Sequence, residues 1–378
     1  MRCAVQISEE KLSRTILTTA KSIAMIKKTI SGGIDMGVTI RDVARRAGVS
    51  ISTVSRVLNE KGIVVPEKER RVLEAAEELQ FVPSAIAQSL KQRKTKTIGL
   101  LASDFSVSFF TGVLRVLESG IRQDGYQILS ANIYDSSETE ARLIENMKRS
   151  RVDALIVNST GKNDEKLAEL QSSGLPILCY DRHPKNREFP AVYVDKKQGI
   201  YDLLVYFYNL GHRRICFISG PSSLSTNVDR QSGIDKFIKD YNIPTEDITC
   251  YYSQFSEDFG YQVFQETVYG ENAPTAYITG SIALAEGIML YCSAQGISIP
   301  RDVSLASFGT FRHANLVRPT LVHVDDEYRA IGEQLLNWIR VIAEGKKPLL
   351  HSSEKVIPAR LVLGESSGVP RSGSIQRN

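Results

Sequence analysis

Six residues lie within a short span with no acid among them: Ile51, Ser52, Thr53, Ser55, Arg56 and Asn59. Hydroxyls and an amide can exchange hydrogen bonds with base edges, and a guanidinium can bridge a base and a phosphate. The lack of carboxylates removes what a phosphate backbone would repel. Ser50 directly before them and Thr39 further upstream add two hydroxyls of the same kind. The chemistry that this set suits is DNA recognition, provided that one helix face carries it.

The surrounding stretch VTIRDVARRAGVSISTVSRVLN supplies such a helix. It reads as two short helices joined by a tight turn. Thr39 caps the first, with Asp42 in the acidic slot of a capping box. Ile40, Val43, Ala44 and Ala47 repeat at helical spacing and make one apolar face. Gly48 suits the positive φ of a helix end, and Val49 anchors the turn. Ser50 caps the second helix, whose Val54, Val57 and Leu58 face the first and leave the polar set outside. A third amphipathic helix is expected over 66–80, with Val72, Ala75, Ala76 and Leu79 on one side. An ordinary helical hairpin has the same pattern, so the residues beyond the third helix must separate the two.

Charge is unevenly placed along the 378 residues. Residues 37–96 carry a net +5, residues 1–36 a net +3 and the remainder a net −4. A basic front on an acidic body fits a nucleic-acid module joined to something else. The five cysteines form no C-x-x-C pair and several sit in apolar runs, which points to buried reduced thiols. No apolar stretch reaches the ~18 residues of a membrane span. Residues 1–36 lack the apolar core and cleavage site of a signal peptide. They read as a non-native or disordered extension ahead of a natural start at Met36, with a basic DNA-binding arm as the minority reading.

From Ile98 onward apolar strands alternate with amphipathic helices. Strands are expected at 98–103, 126–131, 153–158, 176–180, 191–195, 214–219, 275–279 and 303–308. Helices are expected at 110–123, 137–149, 164–173, 198–210, 229–241, 256–268 and 282–295. Near-continuous apolar strands with crossover helices imply a parallel α/β sheet, and the length implies two lobes. No P-loop, dinucleotide fingerprint, nucleophile elbow or zinc-protease motif occurs. The histidines are scattered, and His212 in the LGHRRI run reads as structural. Nothing argues for an enzyme.

Three pieces together resemble the lactose/galactose repressor (LacI/GalR) family of bacterial transcription regulators. They are the TIRDVARRAGVSISTVSRVLN headpiece, the P-x-x-x-A-x-x-L run at Pro83–Leu90 and the TKTIGL entry into the core. The resemblance implies an all-α helix-turn-helix headpiece (37–83), a hinge helix and linker (84–96) and a two-lobed effector-binding and dimerisation core (97–363). The lobes would be flavodoxin-like, with parallel sheets, of the periplasmic-binding-protein type and joined by three crossings. A disordered tail would complete the chain over 364–378. The hinge would fold on operator DNA, with Ala87 and Leu90 at the minor groove and Leu90 as a wedge between base steps. Phe81 and Ser84 replace the more usual Tyr and Asn.

Ligands of such sheets bind beyond the carboxyl ends of strands. The effector candidates are therefore Asp104, Phe109, Asp181, Arg182, Arg230, Phe255, Ser281 and Gly309. Among them Arg230 matches a family arginine that hydrogen-bonds ligand oxygens, and Phe255 an aromatic that stacks on ligand. Ser281-Ile282 and Gly309 stand where relatives carry acids. With Arg182 and Arg230 kept, the cleft is expected to favour a sugar acid or sugar phosphate. The resulting expectation is a cytoplasmic homodimeric repressor of a carbohydrate-use operon, with operator DNA and a small effector as partners and no cofactor. A cleft that has lost its ligand and answers to a protein partner is the alternative. A sugar-binding transport protein is a more distant one.

Overall fold

The computed structural model describes residues 38–58, 64–81, 94–184, 189–345 and 354–375. The expected extension (1–36), Asn59, Ala87 and Leu90 lie outside the described residues. The chain divides into two compact units, Met1–Arg93 and Lys94–Asn378.

In the first unit α1 (Ile40–Ala47), α2 (Ile51–Leu58) and α3 (Pro66–Glu78) enclose one small core. Val43, Ala44, Ala47, Val54, Val57, Val72 and Ala75 form it. The Asp42 carboxylate accepts from both the Thr39 amide (3.0 Å) and the Thr39 hydroxyl (2.6 Å). Gly48 ends α1 at φ 64°, and a Cβ there would also strike the Arg71 guanidinium. Ser50 Oγ accepts from the Thr53 amide at 3.2 Å, which starts α2.

The second unit contains two sheets. The first runs β2 (Gln127–Asn132), β1 (Thr97–Ala102), β3 (Ala154–Val157), β4 (Ile177–Tyr180), β5 (Ala191–Val194) and β11 (Glu354–Ile357), all parallel. Packed on it are α4 (Ser108–Ile121), α5 (Ser137–Arg149), α6 (Asp164–Ser172) and α11 (Tyr328–Ala343). The second runs β7 (Ile248–Tyr252), β6 (Ile215–Ser219), β8 (Ala276–Thr279), β9 (Ser304–Phe308), β10 (Val322–Val324) and β12 (Leu361–Val362). Only β12 is antiparallel there. Its helices are α7 (Lys196–Asn209), α8 (Ser225–Tyr241), α9 (Glu257–Thr267) and α10 (Ile282–Gln295). Setting aside β11 and β12, each sheet has the flavodoxin-like order, with a crevice where the winding reverses.

The chain passes between lobes three times: at Asp195, at 325–327 and at 358–360. These crossings put the carboxyl ends of both sheets at one junction. The expected strands and helices are all present, with ends shifted by a few residues. β7 and the four elements after Leu321 were not anticipated. Val322–Val324 is too short to show periodicity, whereas α11 buries Ile331, Leu335, Leu336 and Ile339 at legible helical spacing.

The chain joins the core at Lys94, slightly ahead of the expected boundary, because Asp153 accepts from the Thr95 and Lys96 amides (2.8 and 2.9 Å). The expectation of a disordered tail is corrected. Ser366 is fully buried; its Oγ accepts from the Val322 amide (2.8 Å) and donates to the Leu305 carbonyl (2.6 Å). The Gly368 carbonyl meets His212 Nε2 at 2.9 Å, and Ile375 bridges Tyr269. A Gly/Ser-rich composition argued for disorder, but what holds the segment is backbone and hydroxyl hydrogen bonding, which composition does not register. His212 is structural as expected, with Nδ1 2.7 Å from Thr275 Oγ1.

Candidate functional site

On α2 the buried side chains are Val54 and Val57, and the opposite face is open. Ile51 is 46 % exposed, with Ser52 and Arg56 exposed beside it. Thr53 and Ser55 are half-buried at the edges of this face; Ser50 is exposed just before the helix, and Thr39 is exposed at the start of α1. Ser50 Oγ lies 2.8 Å from both Ser52 Oγ and Thr53 Oγ1. Helical periodicity thus brings Ile51, Ser52, Thr53, Ser55 and Arg56 together, and the apolar face that hides Val54 and Val57 is what turns them outward.

The second site is a cavity of about 140 Å³ at the junction of the lobes. Phe109, Asp181, Arg182, Arg230, Phe255, Ser281 and Gly309 all line it. Asp104 does not, which corrects its assignment: its carboxylate turns back to accept from the Ser106 amide at 2.8 Å and shapes the loop entering α4. Phe109 is both cavity wall and core, stacked on Tyr180 with ring centroids 6.3 Å apart. The Phe255 ring covers Gly220, where a Cβ would collide with it.

Arg230, 3 % exposed, reaches in from α8. Its Nη1 donates to Asn227 Oδ1 (2.9 Å) and its Nη2 to the Gly280 carbonyl (3.1 Å). Its guanidinium lies 4.2 Å from the Phe308 ring centre. Nε has no partner. No carboxylate reaches Arg230 within ion-pair distance among the described residues, and burial holds its pKa down to about 10 despite Asp181 nearby. Arg182, 4 % exposed, lies against Asp135 (Nη1 to Oδ1 2.7 Å), and its Nε is also unpartnered. Ser281 Oγ is a third buried polar atom lacking a partner. Buried groups left open in this way mark where a polar ligand would sit.

Three charged lining residues escaped the sequence reading. Lys196, at the first crossing, binds Asp181 (Nζ to Oδ1 2.7 Å). Burial opposes ionisation of Asp181, but Lys196, Arg182 and Arg230 outweigh it and keep the acid below its ordinary range. Asp325 and Asp326 come from the second crossing. Asp325 is taken up by Arg360 and by the Glu327 amide (2.9 Å). Asp326 is pushed up to about 6 by burial and by Asp325. The expectation of a cleft short of acids is therefore corrected. The strand end after HV could have revealed these two acids, had β10 been recognised.

A three-helix unit with an acid-free exposed helix, joined in sequence to two flavodoxin-like lobes around a cleft, defines a ligand-responsive DNA-binding regulator. Residues 95–360 match the family described as periplasmic binding proteins and sugar binding domain of LacI family. Residues 39–84 match bacterial regulatory proteins, lacI family. The chain belongs to the LacI family. It is 30 % identical over 303 residues to the HTH-type transcriptional repressor PurR of Klebsiella pneumoniae strain 342, covering 80 % of this chain and 89 % of that protein. Its fold is similar to the lac repressor dimer bound to operator and the anti-inducer ONPF (TM-score 0.74, 22 % identity, 88 % and 99 % of the two chains). It is also similar to the Cra transcriptional dual regulator of Pseudomonas putida in complex with fructose 1-phosphate (TM-score 0.63, 24 % identity, 71 % and 98 %). The protein is a DNA-binding transcriptional repressor and not an enzyme. Among the described residues no helix is long and apolar enough to cross a membrane.

Proposed function

We propose that this repressor acts in the cytoplasm as a homodimer on a pseudo-palindromic operator of a carbohydrate-use operon, under control of a small sugar-derived effector. One headpiece reads only a half-site, so two copies give the operator its symmetry. Within α2, Ile51, Ser52 and Arg56 set sequence preference, while Thr39, Ser50, Thr53, Ser55 and Asn59 position the helix on the duplex. Ala87 and Leu90 complete the contact through the minor groove.

The observation that carries the effector reading is the lobe-junction cavity, in which Arg230, Arg182 and Ser281 each leave a buried polar atom unmatched beside aromatic walls. A ligand that satisfies groups from both lobes stabilises one lobe arrangement and shifts operator affinity by its differential binding to the two states. A gel shift on the upstream region of the gene's own operon, with and without sugars and sugar derivatives, tests the whole reading. A sequence-specific shift that responds to at least one such compound supports it. A specific shift indifferent to all of them favours the ligandless cleft.

A further inference from the structure

The cavity is lined by three carboxyl groups, and two of them are already engaged. Asp181 is held by Lys196 and accepts from Asn158 Nδ2 at 3.1 Å; Asp325 is held by Arg360. Asp326 is different. Its Oδ1 receives only a long bond from the Tyr328 amide, 3.4 Å, and no cation reaches it within ion-pair distance among the described residues. Its Oδ2 lies 3.6 Å from where a Cβ on Gly309 would stand. Gly309 sits at φ 76°, a conformation that suits glycine, and its missing side chain leaves room that the Asp326 carboxyl faces.

Arg230 presents the opposite demand. A buried guanidinium with an open Nε and no carboxylate partner is costly without an anion or acceptor from outside. Asp181, Arg230 and Asp326 all line this one cavity, so the two unmatched groups open onto the same small space.

We propose, resting on the reading of this cavity as an effector site, that Asp326 determines effector specificity: its carboxylate accepts the hydroxyls of a polyhydroxylated acid whose anionic group lies at Arg230. The ligand class is thus a compound with an acid at one end and vicinal hydroxyls at the other. A neutral sugar leaves Arg230 without its anion, and a bare anion leaves Asp326 without its donors. Charged groups facing Asp326 are Asp325 and Asp181, which disfavour its ionisation, and Lys196, which favours it. Because hydroxyl donors prefer the ionised carboxylate, affinity falls as acidification protonates Asp326.

Calorimetry on the full chain uses four probes: gluconate, fructose 1-phosphate, fructose and inorganic phosphate. Wild type is expected to bind gluconate or fructose 1-phosphate at least tenfold more tightly than fructose or inorganic phosphate. Asp326→Asn, checked for a cooperative melt, is expected to lose about tenfold in affinity for the same probe. Gluconate keeps its own charge between about pH 5.5 and 7.5, so its wild-type binding is expected to weaken several-fold as pH falls across that range; this measurement stands even if the variant folds poorly. Binding that ignores both Asp326→Asn and pH overturns the role of Asp326 while leaving the cavity an effector site. Equal affinity for fructose overturns the acid-plus-hydroxyl class. Silence of all four probes refutes the sugar-derived effector reading and this inference with it.

Discussion

Lys196 Nζ lies 2.7 Å from Asp181 Oδ1, with only 9 % and 18 % of the two side chains exposed. Lys196 opens α7, which packs in the second lobe, and Asp181 follows β4 of the first, so this pair spans the first crossing. Removing one partner from such a pair leaves a buried charge unmatched, at a cost of about 3 kcal/mol. Lys196→Met is therefore expected to lower the urea midpoint clearly, and Lys196→Met with Asp181→Asn to recover much of the loss. A single variant as stable as wild type would show that water or local movement already screens this pair.

The exposed face of α2 yields a second expectation. Exchanging Ile51 and Ser52 alters which half-site is preferred, because both open the helix where base edges are within reach. A mismatch is expected to cost ~1–3 kcal/mol per base pair. Selection from a randomised operator library measures this, and an unchanged selected site would remove the two residues from base readout.

His212 couples the stability of the core to pH. Burial lowers its pKa from the ordinary 6.5, and Arg213 adds to that. Below 6.5 the unfolded chain takes up a proton that the folded imidazole resists, so acid favours unfolding. The stability tied to the neutral ring is present above that value and lost as pH falls toward the lowered one. His212→Gln is expected to cost about 1–3 kcal/mol at neutral pH through lost buried hydrogen bonds. It should also flatten the decline on the acid side, as followed by melts between about pH 5 and 7.5.

Truncation after Leu363 removes the Ser366 and Gly368 bonds to β9, β10 and His212. At about 1 kcal/mol net for each buried hydrogen bond, a loss of roughly 2–4 kcal/mol is expected. An unchanged melting temperature would mean that the tail docks without contributing. Sedimentation of the full chain checks the dimer, since the tail contains no apolar heptads that would join dimers into tetramers.

Local pattern settled much of this protein. The 3.6-residue spacing of Val43, Ala44, Ala47, Val54 and Val57 determined the headpiece and which side of α2 is free. Gly48 showed where the first helix must turn, and apolar strand runs declared two parallel sheets. Arg182 and Phe109 were legible because parallel sheets deliver their strand ends to one crevice, whereas Arg230 and Phe255 were legible through the family resemblance. Other features exist only in three dimensions. Lys196, Asp325 and Asp326 reach the cavity because the chain crosses between lobes there, and charge in a sequence does not reveal which charges meet. Gly309 read as a lost acid until the fold put the carboxyl of Asp326, from the end of another strand, beside the space it leaves. The tail looked too polar to order, yet hydrogen bonds to strands far earlier in the chain hold it, and composition cannot encode such partners.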